Sequence, residues 1–240
     1  LVEDAEITRE WATLTLSAAG AVITTSSNAE DALAQIRALS RPFDVVVTDV
    51  NLGGLDGLEL ARHVSDLGEA QKAVPVIALS GDSREETVTA CRKAGMTGMI
   101  QKPVSGRNLI QIISSVAANT DNNSSWRQFL SEPVSFDGVV VLDQRTVDEL
   151  REDLGTFEAR RFMENALKEA EAVLGTLRNE GFTADTRPVV HSSVGSSGIT
   201  GLAAVEGALR NVQATGGSNT ALDELAEAIS VSRYCVQMDI

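Results

Sequence analysis

A chain of 240 residues exceeds the usual size of one domain, and its 43% hydrophobic content is enough for two cores. A net charge of −14 argues against nucleic acid as a partner, because gripping a phosphate backbone needs clustered Lys and Arg. No apolar run approaches the roughly 20 residues of a bilayer span, and two isolated cysteines, Cys91 and Cys235, read as reduced thiols too few for a metal site.

The chain starts at Leu1 without methionine or signal peptide, so it reads as a cytoplasmic piece of a longer protein. The piece itself is not expected to touch a membrane, and a parent anchored in the inner membrane stays open. Leu1–Val2 reads as the stub of a first strand and Ile7–Ala19 as the first helix. Strand-like runs follow at Ala21–Thr25, Phe43–Thr48, Val74–Leu79 and Gly98–Gln101. Amphipathic stretches separate and follow them at Ala29–Leu39, Leu58–Leu67, Glu85–Ala94 and Leu109–Ala118. Val45, Val46 and Val47 lack polar alternation, which suits a strand covered on both faces. Alternation at this period predicts a doubly wound α/β domain over 1–118, with a five-stranded parallel sheet.

The polar run Asn119–Ser125 cannot bury anything and opens a predicted linker over 119–137, where Trp126 and Phe129–Leu130 are free to pack on either neighbour. Beyond it the strand signal stops. Phe162, Ala166, Ala170, Val173 and Leu177 repeat at helical spacing, as do Leu202, Val205, Leu209 and Val212, then Leu222, Leu225 and Ile229. Gly181, Gly201 and Gly216–Gly217 mark breaks, so 138–240 reads as an all-α four-helix bundle.

In an open parallel sheet, the loops leaving the carboxyl ends of the strands meet at one edge, where ligands bind. Here those loops carry Glu3–Asp4, Asp49, Ser80 and Lys102–Pro103. Carboxylates forced together call for a hard divalent cation, and oxygen-only ligands suit Mg²⁺. A hydroxyl and an ammonium at the same edge can hold the oxygens of a transferred phosphoryl group. A single Asp after a strand is ordinarily a turn residue or cap; the conjunction of four strand ends carries the reading.

These residues, in the runs Leu1-Val2-Glu3-Asp4, Phe43-Asp44-Val45-Val46-Val47-Thr48-Asp49, Val76-Ile77-Ala78-Leu79-Ser80 and Gln101-Lys102-Pro103, resemble the response-regulator receiver family. The spacings match as well: 45 residues from Asp4 to Asp49, 31 to Ser80 and 22 more to Lys102. The resemblance implies the flavodoxin-like fold, with Asp49 the nucleophile that takes up phosphate. It further implies Mg²⁺ held by Glu3, Asp4, Asp49 and the Asn51 carbonyl, with Asp4 a more direct ligand than Glu3. Ser80 would bond a phosphoryl oxygen, Lys102 would pair with phosphate and Asp49, and the Lys102–Pro103 peptide would be cis. Two positions depart from the family pattern. Met99 stands where an aromatic switch residue is usual, and Gly53, followed by Gly54, replaces a proline, which predicts a looser loop.

Of two histidines, His63 reads as an ordinary surface or half-buried helix residue. His191 lies in Val189-Val190-His191-Ser192-Ser193-Val194-Gly195-Ser196-Ser197, where Val190, Val194 and Ser197 share one helical face and His191 points elsewhere. Gly195, one turn on, removes a side chain beside the imidazole. This run in a bundle behind a receiver resembles a histidine-containing phosphotransfer (HPt) domain, which implies that His191 is a phosphoacceptor. The family's lysine three residues after the histidine is here Val194, and Arg187, four residues before His191, is the candidate replacement cation. Thr186 or Asp185 is expected to cap this helix, with Pro188 in its first turn.

The combined resemblance is to the C-terminal receiver–HPt part of a hybrid sensor histidine kinase. It implies an upstream histidine kinase domain as phosphodonor, relay from Asp49 to His191, and a downstream response-regulator receiver as acceptor. No kinase core or ATP-binding glycine pattern is present. The alternative is a regulatory interaction module whose receiver binds a partner while His191 stays idle.

Overall fold

The computed structural model describes residues 1–39, 41–52, 54–67, 74–118, 126–129 and 140–237. The chain divides into two compact units, Leu1–Glu132 and Pro133–Ile240.

In the first unit, α1 (Glu6–Ala18), α2 (Ala29–Ala38), α3 (Gly57–Ser65), α4 (Glu85–Lys93) and α5 (Gly106–Ala118) alternate with β1 (Val46–Asp49), β2 (Val76–Ser80) and β3 (Gly98–Gln101). Local chemistry starts several of these helices. Asn28 caps α2 by accepting from the Asp31 amide at 2.8 Å, and Asp56 and Glu59 form a reciprocal capping box on α3. The strands pair in parallel in the order β1-β2-β3, and β1 and β2 are buried along their whole length, as expected of a sheet covered on both faces. Val46, Val76, Ala78, Leu60, Val64 and Met99 lie in the core between sheet and helices.

Two expectations change here. The first two predicted strands reduce to parallel bridges from Val2 to Ser26 and to Thr48. On the β1 side Val2 N donates to Val47 O at 2.8 Å and Asp49 N to Val2 O at 2.9 Å; on the other side Ser26 N donates to Leu1 O at 2.9 Å and Glu3 N to Ser26 O at 3.1 Å. A five-stranded ladder is therefore not what the described residues form. Instead a strand that the sequence did not announce, β4 (Arg127–Phe129), joins the edge of β3 in parallel, with Met99 opposite Gln128. It falls inside the stretch predicted as linker. Most of that linker, 119–125 and 130–137, lies outside the described residues, and so does Leu130. Trp126, just ahead of β4, packs against the first unit's core, and the Arg92 guanidinium lies 5.2 Å from its ring centre.

The second unit contains α6 (Gln144–Leu154), α7 (Thr156–Glu180), α8 (Arg187–Ile199), α9 (Ala203–Thr215) and α10 (Asn219–Gln237). Helices α7 to α10 form a closed ring, each packed on two others, and α6 lies on α7. The ring buries Phe162, Ala166, Ala170, Val173, Leu177, Leu202, Val205, Leu209, Val212, Leu225 and Ile229, the positions whose period predicted helices. Gly201 has φ +72°, and a methyl group there would lie 2.8 Å from Val147 Cγ2, so the α8–α9 turn requires glycine. Among the described residues no helix is long and apolar enough to cross a membrane.

Candidate functional site

The carboxyl edge of the first sheet gathers the predicted residues. Asp49 ends β1 and Ser80 ends the adjacent β2, where Val50 N donates to Leu79 O at 3.1 Å. Glu3 sits one residue past the Val2 bridges. Lys102 follows β3, and its amide donates to Ser80 O at 2.8 Å. Glu3, Asp4 and Asp49 each present a carboxylate oxygen within 4.8 Å of the others. The Lys102 ammonium lies 2.7 Å from Glu3 Oε2 and 2.7 Å from Asp49 Oδ2, and the Lys102–Pro103 peptide is cis. The Asn51 amide donates to Asp49 Oδ1 at 2.9 Å, which fixes the carboxylate's other oxygen.

Glu3 and Asp49 are 1% and 2% exposed and share the one Lys102 ammonium, with the Asp4 carboxylate close by. Burial pushes the Glu3 carboxyl up to about 7, and Asp49 and Asp4 add to this while Lys102 opposes it. Burial alone would lower the Lys102 ammonium, but Asp49 and Glu3 together hold it above its ordinary value. Three clustered carboxylate oxygens fit a hard divalent cation.

Ser80 Oγ donates to Asp82 O and accepts from the Asp82 amide, both at 3.1 Å, so its hydroxyl is engaged by its own loop. Three participants were missed in the sequence. Gly57, the first residue of α3, packs so closely on Asp49 that a methyl group would collide with the Asp49 carbonyl oxygen. Thr48 Oγ1 donates to the same oxygen at 2.9 Å. Arg9 bonds the backbone of the acidic pair. The Asp-Gly pair at 56–57 was the available signal for the first; nothing in the pattern flagged the other two. Gly53 lies outside the described residues; Gly54 has φ +84°, and the next amide, Leu55, donates to Glu30 Oε1 at 3.1 Å.

His191 is half-buried on α8, and Val190, Val194 and Ser197 share its buried face. Val194 is 6% exposed, so its side chain is enclosed by the bundle and not displayed beside His191. The Arg187 guanidinium stacks over the Phe182 ring at 5.7 Å. Ser192 Oγ donates to Glu169 Oε1 at 3.0 Å, which places an α7 carboxylate next to the histidine's neighbour. Thr186 stands at the cap position, but its hydroxyl donates to Gly181 O at 3.0 Å and accepts from Thr183 N at 2.8 Å instead of capping α8. Its αR backbone aims the hydroxyl at the preceding turn. His63 is exposed on α3.

A parallel α/β sheet with an acidic pocket and a largely enclosed lysine at its carboxyl edge is the arrangement of a signalling receiver. The response regulator receiver domain model matches residues 1–114, and the chain belongs to that family. Two-component response regulator ORR41 of Oryza sativa subsp. japonica is 34% identical over 116 residues, 48% of this chain and 89% of that protein. Sensory/regulatory protein RpfC of Xanthomonas campestris pv. campestris is 27% identical over 168 residues, which is 68% of this chain. The chain spans 23% of the length of RpfC. Among solved structures, the chemotaxis response regulator CheY4 of Vibrio cholerae is 28% identical, covering 48% of this chain and 93% of that one, with a TM-score of 0.44. The first unit is thus a receiver domain of two-component signalling, a family that binds Mg²⁺ at such a pocket and exchanges phosphate with donor and acceptor partners; the second is a helical region.

Proposed function

We propose that the chain is a phosphorelay intermediate. Asp49 accepts a phosphoryl group from a phosphohistidine of an upstream kinase domain, and His191 exchanges it with Asp49 and relays it to a downstream response regulator. The observation that carries the reading is the buried triangle of Glu3, Asp49 and Lys102, with both carboxylates 2.7 Å from one ammonium.

Asp49 attacks phosphorus through a carboxylate oxygen; the P–O bond forms as the P–N bond to the donor imidazole breaks. Lys102 is placed to pair with the incoming oxygens as they displace part of its present contact. Ser80 can donate its hydroxyl proton to a phosphoryl oxygen once it leaves Asp82 O. Glu3, Asp4, Asp49 and the Asn51 carbonyl are the residues that would hold Mg²⁺, which supplies charge neutralisation for phosphoryl transfer. In the return step a His191 imidazole nitrogen attacks the acyl phosphate and the Asp49 carboxylate leaves. Arg187, one helical turn before His191 and steadied on Phe182, is the candidate cation for the phosphorylated imidazole. The similarity to RpfC, 27% identical over 68% of this chain and so longer than the receiver alone, supports a hybrid sensor histidine kinase as the parent. The two compact units, the second a ring of helices, support reading them as receiver over 1–118 and HPt bundle over 138–240.

A second reading rests on Val194 and Glu169. With a buried valine at the lysine position and a carboxylate beside Ser192, His191 lacks the family's phosphate-binding charge, and the chain would act as a regulatory binding module. Phosphodonor labelling with Mg²⁺ separates the two. The relay requires base-labile label at Asp49, absent in Asp49→Asn, followed by acid-labile label that His191→Gln abolishes and Arg187→Ala slows. Label that stops at Asp49 selects the binding module, and undiminished label in Asp49→Asn refutes both.

A further inference from the structure

We infer that Arg9 is a positioning residue for the acidic pocket, holding the turn that carries Glu3 and Asp4 so that their carboxylates converge with Asp49. The inference rests on the Mg²⁺ reading above and adds to it a residue outside the ligand set.

Sheet bonding in this segment stops at Glu3, whose amide donates to Ser26 O at 3.1 Å. The carbonyls of Glu3 and Asp4 then leave the sheet in a partly buried turn, where they need donors. Arg9 Nη1 supplies both, at 2.6 Å to Glu3 O and 3.1 Å to Asp4 O. The helix itself supplies no side-chain cap to this turn, because α1 begins after Ala5, which makes no side-chain cap bond.

Helix energetics alone disfavour this arrangement. A guanidinium folded back over the first turn of α1 opposes the positive end of the helix dipole. What it gains lies in the pocket. Lys102 neutralises the cluster from the carboxylate side, and Arg9 brings a second positive charge to its backbone side. Charge-assisted bonds to two successive carbonyls define the path of the turn in a way that one contact would not. Both carboxylates hang from that turn, so its register decides whether their oxygens reach a common centre.

The test is calorimetric titration of the whole chain with Mg²⁺ for wild type, Arg9→Met and Arg9→Lys, with melting temperatures recorded alongside. Arg9→Met keeps length and helical preference but removes every donor, and its Mg²⁺ dissociation constant is expected to rise about tenfold or more. Arg9→Lys keeps the charge without the fork and is expected to fall between, weaker than wild type by about threefold. Equal Mg²⁺ affinity in wild type and folded Arg9→Met overturns the inference whatever happens to the melting temperature. Should Arg9→Met not fold, wild-type affinity in Arg9→Lys overturns it. Failure of wild type to bind Mg²⁺ sinks the metal reading itself.

Discussion

At the scale of single residues, the main chain of Asp49 is as confined as its carboxylate. Gly57 closes over its carbonyl from α3 while Thr48 donates to the same oxygen, and the Asn51 amide holds Oδ1. A Gly57→Ala side chain has nowhere to go, because the atom it meets is backbone. The expected cost is about 1–3 kcal/mol in urea denaturation of the first unit, with slower labelling of Asp49 as its strand end is displaced. Met99 stands where the receiver resemblance leads one to expect an aromatic residue, and Val194 where the HPt resemblance leads one to expect a lysine. Met99 is fully buried and carries no ring to swing between states, and Val194 is part of the bundle core.

At the scale of elements, the loop from β2 into α4 is organised by Asp82. Its carboxylate takes Arg84 Nε at 2.9 Å and Nη2 at 2.7 Å, and Thr87 Oγ1 donates to it at 2.7 Å. The Arg84 guanidinium holds the Asp82 carboxyl well below the usual carboxylate range; burial opposes this less strongly, and the Arg84 amide and Thr87 hydroxyl reinforce it. A carboxyl that gives up its proton more readily when folded stabilises the fold above its unfolded value near 3.8 and stops doing so as pH falls through its folded value. Arg84 is largely exposed, so the effect is modest after solvent screening. Asp82→Asn is accordingly expected to lower the urea midpoint at about pH 7, with the gap to wild type closing towards about pH 2. An equal gap at both values would show that the carboxylate's charge contributes nothing.

At the scale of the whole molecule, each unit has its own core, and the receiver does not end where its last helix ends. Trp126 and β4 complete the β3 edge beyond α5. A fragment ending at 118 is therefore expected to be less stable than one ending at 132 by about 1–2 kcal/mol in chemical denaturation, because it loses a half-buried indole and a row of strand bonds. Equal stability would mean that β4 adds nothing to the receiver. The stretch predicted as linker thus contributes a strand to the receiver, and Trp126, expected to pack on one neighbour or the other, packs on the receiver core.

The receiver helices, the strands β1 to β3 and the residues gathered at their carboxyl edge were legible in the sequence. They depend on local periodicity and on residue types at strand ends, and both are written at fixed spacing along the chain. The same periods located the bundle helices and their glycine breaks. Contacts that depend on which backbone passes which were not legible. Gly57 against Asp49, Arg9 under the acidic turn and Arg127–Phe129 beside β3 join segments whose sequence signals are unremarkable alone. Thr186 likewise has the right residue type for a cap, but its backbone conformation sends the hydroxyl the other way. Residue type and spacing established which groups are available for chemistry. Tertiary packing decided which carbonyls, edges and charges they meet, because hydrogen bonds and steric exclusion act over a few ångströms between residues far apart in the chain.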